Sequence, residues 1–148
     1  MATLLDHFRA HLITQGLVRD PATAGPLPPA WRHPREGVPA PGEGTSVQVG
    51  PTAVVGLMHA GGFPAADYES EWRRDLVDVV IRTTTAPAAV ELGGGIRRVT
   101  IDRRNWAMGG ITVMQSSEFR PLQPLLPNTQ HHTFIWGALF QIRAEDAY

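Results

Sequence analysis

The side chains able to do chemistry are scattered along this sequence, and the first question is whether any spacing gathers them. His7 and His11 stand four residues apart, the separation that lets two imidazoles on one helical turn share a zinc ion. The metalloprotease form of that pattern places glutamate directly after the first histidine, and Phe8 occupies that position. A structural or solvated pair is the expectation. His131 and His132 are adjacent, so on a strand their rings point to opposite faces and cannot chelate together. Ser116 and Ser117 lack the glycines of a nucleophile elbow. Glu69, Glu71, Asp75 and Asp78 could supply paired carboxylates, but they are interleaved with Arg73, Arg74 and Arg82, the pattern of a solvated or ion-paired strand face. The triglycine 93–95 belongs to neither phosphate-binding glycine motif and suits close packing of a helix on a sheet. The "PLQP" at 121–124 has the PxxP form, and it also serves as an ordinary connector. Catalytic, cofactor-binding and metal-binding residues are therefore expected to number none.

The elements that would carry these residues follow from pattern. Leu4, Leu5, Phe8, Leu12 and Ile13 recur at helical spacing, with Thr3 able to cap, Asp6 in the first turn and Gly16 as a stop, which predicts a helix over 3–15. From 21 to 44 the proline and glycine content forbids helix and central strand, so an extended loop is expected, anchored by Trp31. Residues 52–60 read as a strand. "EWRRDLVDVVIRTT" reads as another, with Val77, Val79 and Ile81 on one face and Asp78 and Arg82 on the other. Thr85 and Pro87 open a second helix running to about Arg104, and Asn105 to Met108 is expected to be the turn after it, with Trp106 beneath. Gly109 and Gly110 reverse the chain into a strand from Ile111, which Pro121, Pro124 and Pro127 stop. A last strand over 131–143 is apolar on both faces and should be central. The expected fold is α+β: one domain over 1–148, a single mostly antiparallel sheet of about four strands, and two helices on one face.

Composition sets the bounds. A chain of 148 residues can bury roughly 70% of its unfolded surface and needs no staple. It has no cysteine, which excludes disulfides, thiolate zinc sites and cysteine nucleophiles. Its net charge of −1 gives no field to draw it to nucleic acid. No apolar run approaches the length of a membrane span, and the N-terminus does not read as a secretory signal. All 13 cationic residues are arginine, which fits a GC-rich genome and equally fits paired or interfacial guanidinium groups.

Several stretches in order resemble the tail terminator proteins of long-tailed bacteriophages, especially actinobacterial ones. They are "GLVRDPATAGPLPPAW", "GVPAPGEG", "VDVVIRTTT", "IDRRNW", "MGGITVMQSSEFRPLQPL" and "TFIWGALFQI". The triglycine departs from the family pattern. The resemblance implies a homo-oligomeric, six-fold ring on the head-proximal end of the tail tube. Such a ring ends tube growth and joins a head-completion or connector protein. It implies no enzyme activity, no cofactor, no specific nucleic-acid contact although the genome crosses the lumen, and no membrane partner. The expected location is the tail–neck junction of the virion, after assembly in the host cytoplasm. Glu71, Arg73, Arg74, Arg103, Arg104 and Trp31 become the candidate interface residues, and the 21–44 loop is expected to order on assembly. The alternatives are another neck component, a tube subunit, or, less in keeping with the residues, a small-ligand module or enzyme.

Overall fold

A computed structural model describes residues 3–23, 25–32, 53–63, 72–101, 103–125 and 134–145. Helix α1 (Leu4–Thr14) begins on a capping box: the Asp6 amide donates to the Thr3 hydroxyl and the Thr3 amide to the Asp6 carboxylate. Helix α2 (Ala86–Thr100) begins after Thr85 with Pro87 in its first turn. Six strands make one sheet: β1 (Ala30–Arg32), β2 (Ala53–Phe63), β3 (Trp72–Thr83), β4 (Arg103–Met108), β5 (Ile111–Pro124) and β6 (Phe134–Glu145). Their order is β1-β2-β3-β6-β5-β4. β1 runs parallel to β2, and every other pairing is antiparallel.

The sheet is a mixed, curled half-barrel, and this corrects the expected four-stranded antiparallel sheet flanked by two helices. Two strands went unread. β1 lies inside the proline-rich 21–44 stretch, where three residues suffice because it sits at the edge and Ala30 and Trp31 add alongside Val55 and Gly56. β4 takes the place expected for the end of α2 and the turn after it. α2 stops at Thr100, and "RRNWAM" pairs with β5 across a two-residue turn. Gly109 and Gly110 both have positive φ, 56° and 103°, as the tight hairpin turns require. The prolines do not stop β5 either. β4 pairs with β5 only as far as Ser116, so beyond it β5 has β6 on one side alone. An edge needs no N–H from Pro121 or Pro124.

Curling follows from α1. It packs on β1, β2 and β4, which lie at opposite ends of the strand order, so one helix bridges both edges. α2 packs on β3, β5 and β6. Leu4, Phe8 and Leu12 from α1 and Ala89 and Ile96 from α2 join Leu57, Val77, Val79, Ile81, Phe140 and Ile142 in one cluster on the concave side. Phe8 is fully buried and meets Phe140 edge to face, with ring centroids 6.5 Å apart. Neither helix covers the convex side.

Candidate functional site

The nominated chemistry disperses once the chain is folded. His7 Nδ1–H donates to the Gly109 carbonyl and His11 Nε2–H to that of Val99, the latter at 2.9 Å. The pair latches α1 to the β4–β5 hairpin and to the end of α2, and the His11 ring lies 4.6 Å from that of Trp106. Ser116 Oγ–H donates to the Thr100 carbonyl, which ties β5 to the last turn of α2, while Ser117 faces the other side of the sheet. Asp75 and Asp78 occupy opposite faces. Asp75 is buried and accepts from His59 Nε2 at 2.7 Å, a partnership with no signal in the sequence. Glu69, Glu71, His131 and His132 lie outside the described residues, as do 33–44 of the long loop. No group of three metal-ligating side chains occurs among the described residues, and no described helix is long and apolar enough to cross a membrane.

The triglycine packs as expected at two of its positions. A Cβ on Gly93 would collide with Leu122, and one on Gly95 would meet Leu17 at 3.0 Å. Gly94 faces open space and lines a cleft of about 300 Å³ between α2 and the β5–β6 pair. Val90, Pro121, Leu122 and Trp136 make its walls apolar. Its two charged groups, Arg97 and Glu118, bond each other at 2.8 Å, so the cleft offers no unspent acid or base.

What strand register lines up instead is a set of long polar residues. Residues directly opposite on neighbouring strands share a face. Arg74 of β3 stands opposite Arg143 of β6, Arg143 opposite Gln115 of β5, and Gln115 opposite Arg104 of β4. The next same-face row is Leu76, Gln141 and Ser117, and the one after it is Met58, Asp78, Leu139 and Arg120. All belong to the convex side. Of the expected interface residues, Arg104 is exposed opposite Gln115, while the side chains of Arg73 and Arg74 lie outside the described ones. The backbone of Arg103 pairs with Ser116, and its side chain likewise lies outside the described ones. Trp31 is half-buried opposite Gly56 at the β1 edge. Arg143 and Arg120 were missed, because only the β3–β6 and β5–β6 pairings bring them to the row.

Arg120 of β5 stands 3.6 Å from the Asp78 carboxylate of β3 on this face. Burial pushes the Asp78 carboxyl above its usual 3.8, and Arg120, 3.6 Å away, pulls it partly back. Between the first two rows, Gln115, Ser117, Gln141 and Arg143 enclose a polar niche of about 140 Å³. Half-buried Leu76 and Leu139 lie beside it in the neighbouring positions. No model of a known protein family matches the sequence, and no curated protein matches it.

Proposed function

We propose that this chain is a structural subunit of a bacteriophage tail, assembling into a ring that caps the head-proximal end of the tail tube and joins it to the head connector. It works through shape and self-association, without making or breaking bonds. The observation that carries the reading is the two-sidedness of the sheet. Its concave side is filled by α1 and α2, while its convex side mixes arginines, half-buried leucines and the buried Val54 and Val80. The sequence resemblance supplies the family.

The edges support an assembly mode that avoids strand addition. β1 is three residues long, β4 is kinked at Asn105 by a φ of 50°, and the one-sided half of β5 carries Pro121 and Pro124. Short, kinked and proline-bearing edges resist open-ended pairing. A ring must close, so the contacts between copies have to be heterologous and geometrically finite.

Native mass spectrometry and negative-stain imaging of the purified chain, with a tube-capping assay, test this. A closed ring that binds one end of preformed tubes is expected. Charge reversal in Arg73→Glu/Arg74→Glu and in Arg104→Glu should abolish ring formation while leaving the far-ultraviolet circular dichroism unchanged. A chain that stays monomeric at high concentration and leaves tube length unchanged sinks the proposal. Rings that persist in the reversed variants sink the interface assignment alone.

A further inference from the structure

We infer that the outward face of α2 is a self-docking surface, on which the same helix of a second copy lies antiparallel across a two-fold axis at Gly94. The inference goes beyond the ring. A two-fold contact uses one patch on both subunits, whereas the contacts that close a ring join different patches head to tail.

Helical spacing defines the face. Ala89, Gly93, Ile96 and Thr100 are buried and fix the inward side of α2. Pro87, Glu91, Gly94 and Arg98 recur three or four residues apart and make the opposite stripe. Pro87, Glu91 and Arg98 are exposed. Val90, on the flank of the stripe, is 53% exposed, an apolar side chain that the fold leaves uncovered. Gly93 and Gly95 are accounted for by Leu122 and Leu17, but a Cβ on Gly94 would meet nothing within 4 Å. Packing within the subunit therefore does not require a glycine there, and glycine weakens a helix interior. A second helix crossing at Gly94 does require one, because backbones approach most closely where there is no Cβ.

Charge complementarity selects the occupant. Glu91 precedes Gly94 by three residues and Arg98 follows it by four. The two are seven residues apart, beyond the i, i+3 and i, i+4 pairs that bond along one helix. Neither makes an ion pair among the described residues. Arg97 is already held by Glu118 within the chain and does not compete. Laid antiparallel with the crossing at Gly94, Glu91 of each copy meets Arg98 of the other, and symmetry makes two ion pairs. A parallel pairing would set Glu91 against Glu91 and Arg98 against Arg98, so charge fixes both the partner and its direction. One helix crossing is small beside the roughly 1,200–2,000 Å² that stable interfaces bury. The pairing is therefore reversible in the isolated chain and strengthens when copies are held together in an assembly.

The test exploits a full chain without cysteine. Gly94→Cys places a thiol at the crossing, within disulfide reach of its symmetry mate. Ala10→Cys places one at an exposed position of α1 as a control. Under mild oxidation the first variant should form disulfide dimers about tenfold faster than the second or more. Sedimentation equilibrium reads the charges. Glu91→Arg and Arg98→Glu should each weaken self-association about tenfold, since two ion pairs become two repulsions. The double exchange Glu91→Arg/Arg98→Glu should restore it, because the pattern is again its own complement. Equal oxidation of the two cysteine variants, a chain that sediments as a monomer at every concentration, or association indifferent to both single reversals overturns the pairing. So does a double exchange that restores nothing while far-ultraviolet circular dichroism shows the fold intact. A ring that forms without cross-linking at Gly94→Cys overturns the pairing and leaves the ring standing. A cross-linked dimer that forms no ring supports the pairing and sinks the ring.

Discussion

The two faces of one sheet are made from the same strands and solve different problems. On β3, Val77, Val79 and Ile81 alternate with Asp78, Val80 and Arg82, and on β6, Ala138, Phe140 and Ile142 alternate with Leu139, Gln141 and Arg143. The concave positions are saturated: two helices insert Phe8, Leu12 and Ile96 among them. The convex positions are mixed in polarity: Asp78, Arg82 and Leu139 are half-buried, while Val54 and Val80 are buried. One face thus holds the fold together, and the other mixes charged, polar and apolar side chains. The difference teaches that core packing and surface chemistry can be separated residue by residue, at alternate positions of a single strand.

The largest effect should come from breaking the concave side. Phe8→Ala removes a fully buried ring that touches Phe140 and should cost about 3–5 kcal/mol in urea unfolding. Leu139→Ala on the convex side removes a half-buried side chain and should cost the isolated subunit about 1 kcal/mol. Comparable losses would mean that the convex face is as tightly packed as the core, and the two-sided description would fall.

A smaller and opposite effect is expected at Gly94. It is interior to α2, and a Cβ there meets nothing within 4 Å. Gly94→Ala should stabilise the subunit by about 0.5–1 kcal/mol, since alanine loses less backbone entropy in a helix. Gly93→Ala gains the same propensity but drives into Leu122 and should lose some or all of that gain. Paired thermal melts of the two variants read the contrast, and equal stabilisation would show that α2 does not bear closely on β5.

Which parts of this were legible in the sequence follows the range of the interactions. Thr3 and Asp6 with the Leu4–Phe8–Leu12 stripe gave α1, because capping and amphipathicity act within a few residues. The alternation of 77–82 gave the two faces of β3. The Gly109–Gly110 pair was itself a hairpin signal, and "RRNWAM" before it could have been read as a strand. Its helix-compatible spacing with Val99 and Ile96 concealed this. β1 was hidden because proline-rich context outweighs three residues, and only docking beside Val55 makes them a strand. The cross-strand row was out of reach: the backbones of Arg74 and Arg143 become neighbours through β3–β6 pairing, which skips α2, β4 and β5. His59 and Asp75 meet across β2 and β3 by the same kind of non-local registration.

The finest test concerns Asp78, a described carboxylate on the convex side. Asp78 has its folded-state pKa raised above 3.8, chiefly by burial, with Arg120 opposing. The folded chain therefore holds this proton more tightly than the unfolded chain does. Its contribution favours folding below that value and is lost as pH rises from 3.8 through the raised value, leaving a penalty at neutral pH. Asp78→Asn removes the ionisation. The variant should match the wild type in urea midpoint at about pH 3 and slightly exceed it at about pH 7, with the gap opening across the acid range. The sign is the informative part. A variant less stable than wild type at neutral pH would mean that the Arg120 pair outweighs burial, and that the convex face satisfies its own charge. A more stable variant means that this face carries an unrelieved cost in the isolated subunit, which a partner supplying a hydrogen-bond donor to Asp78 would remove.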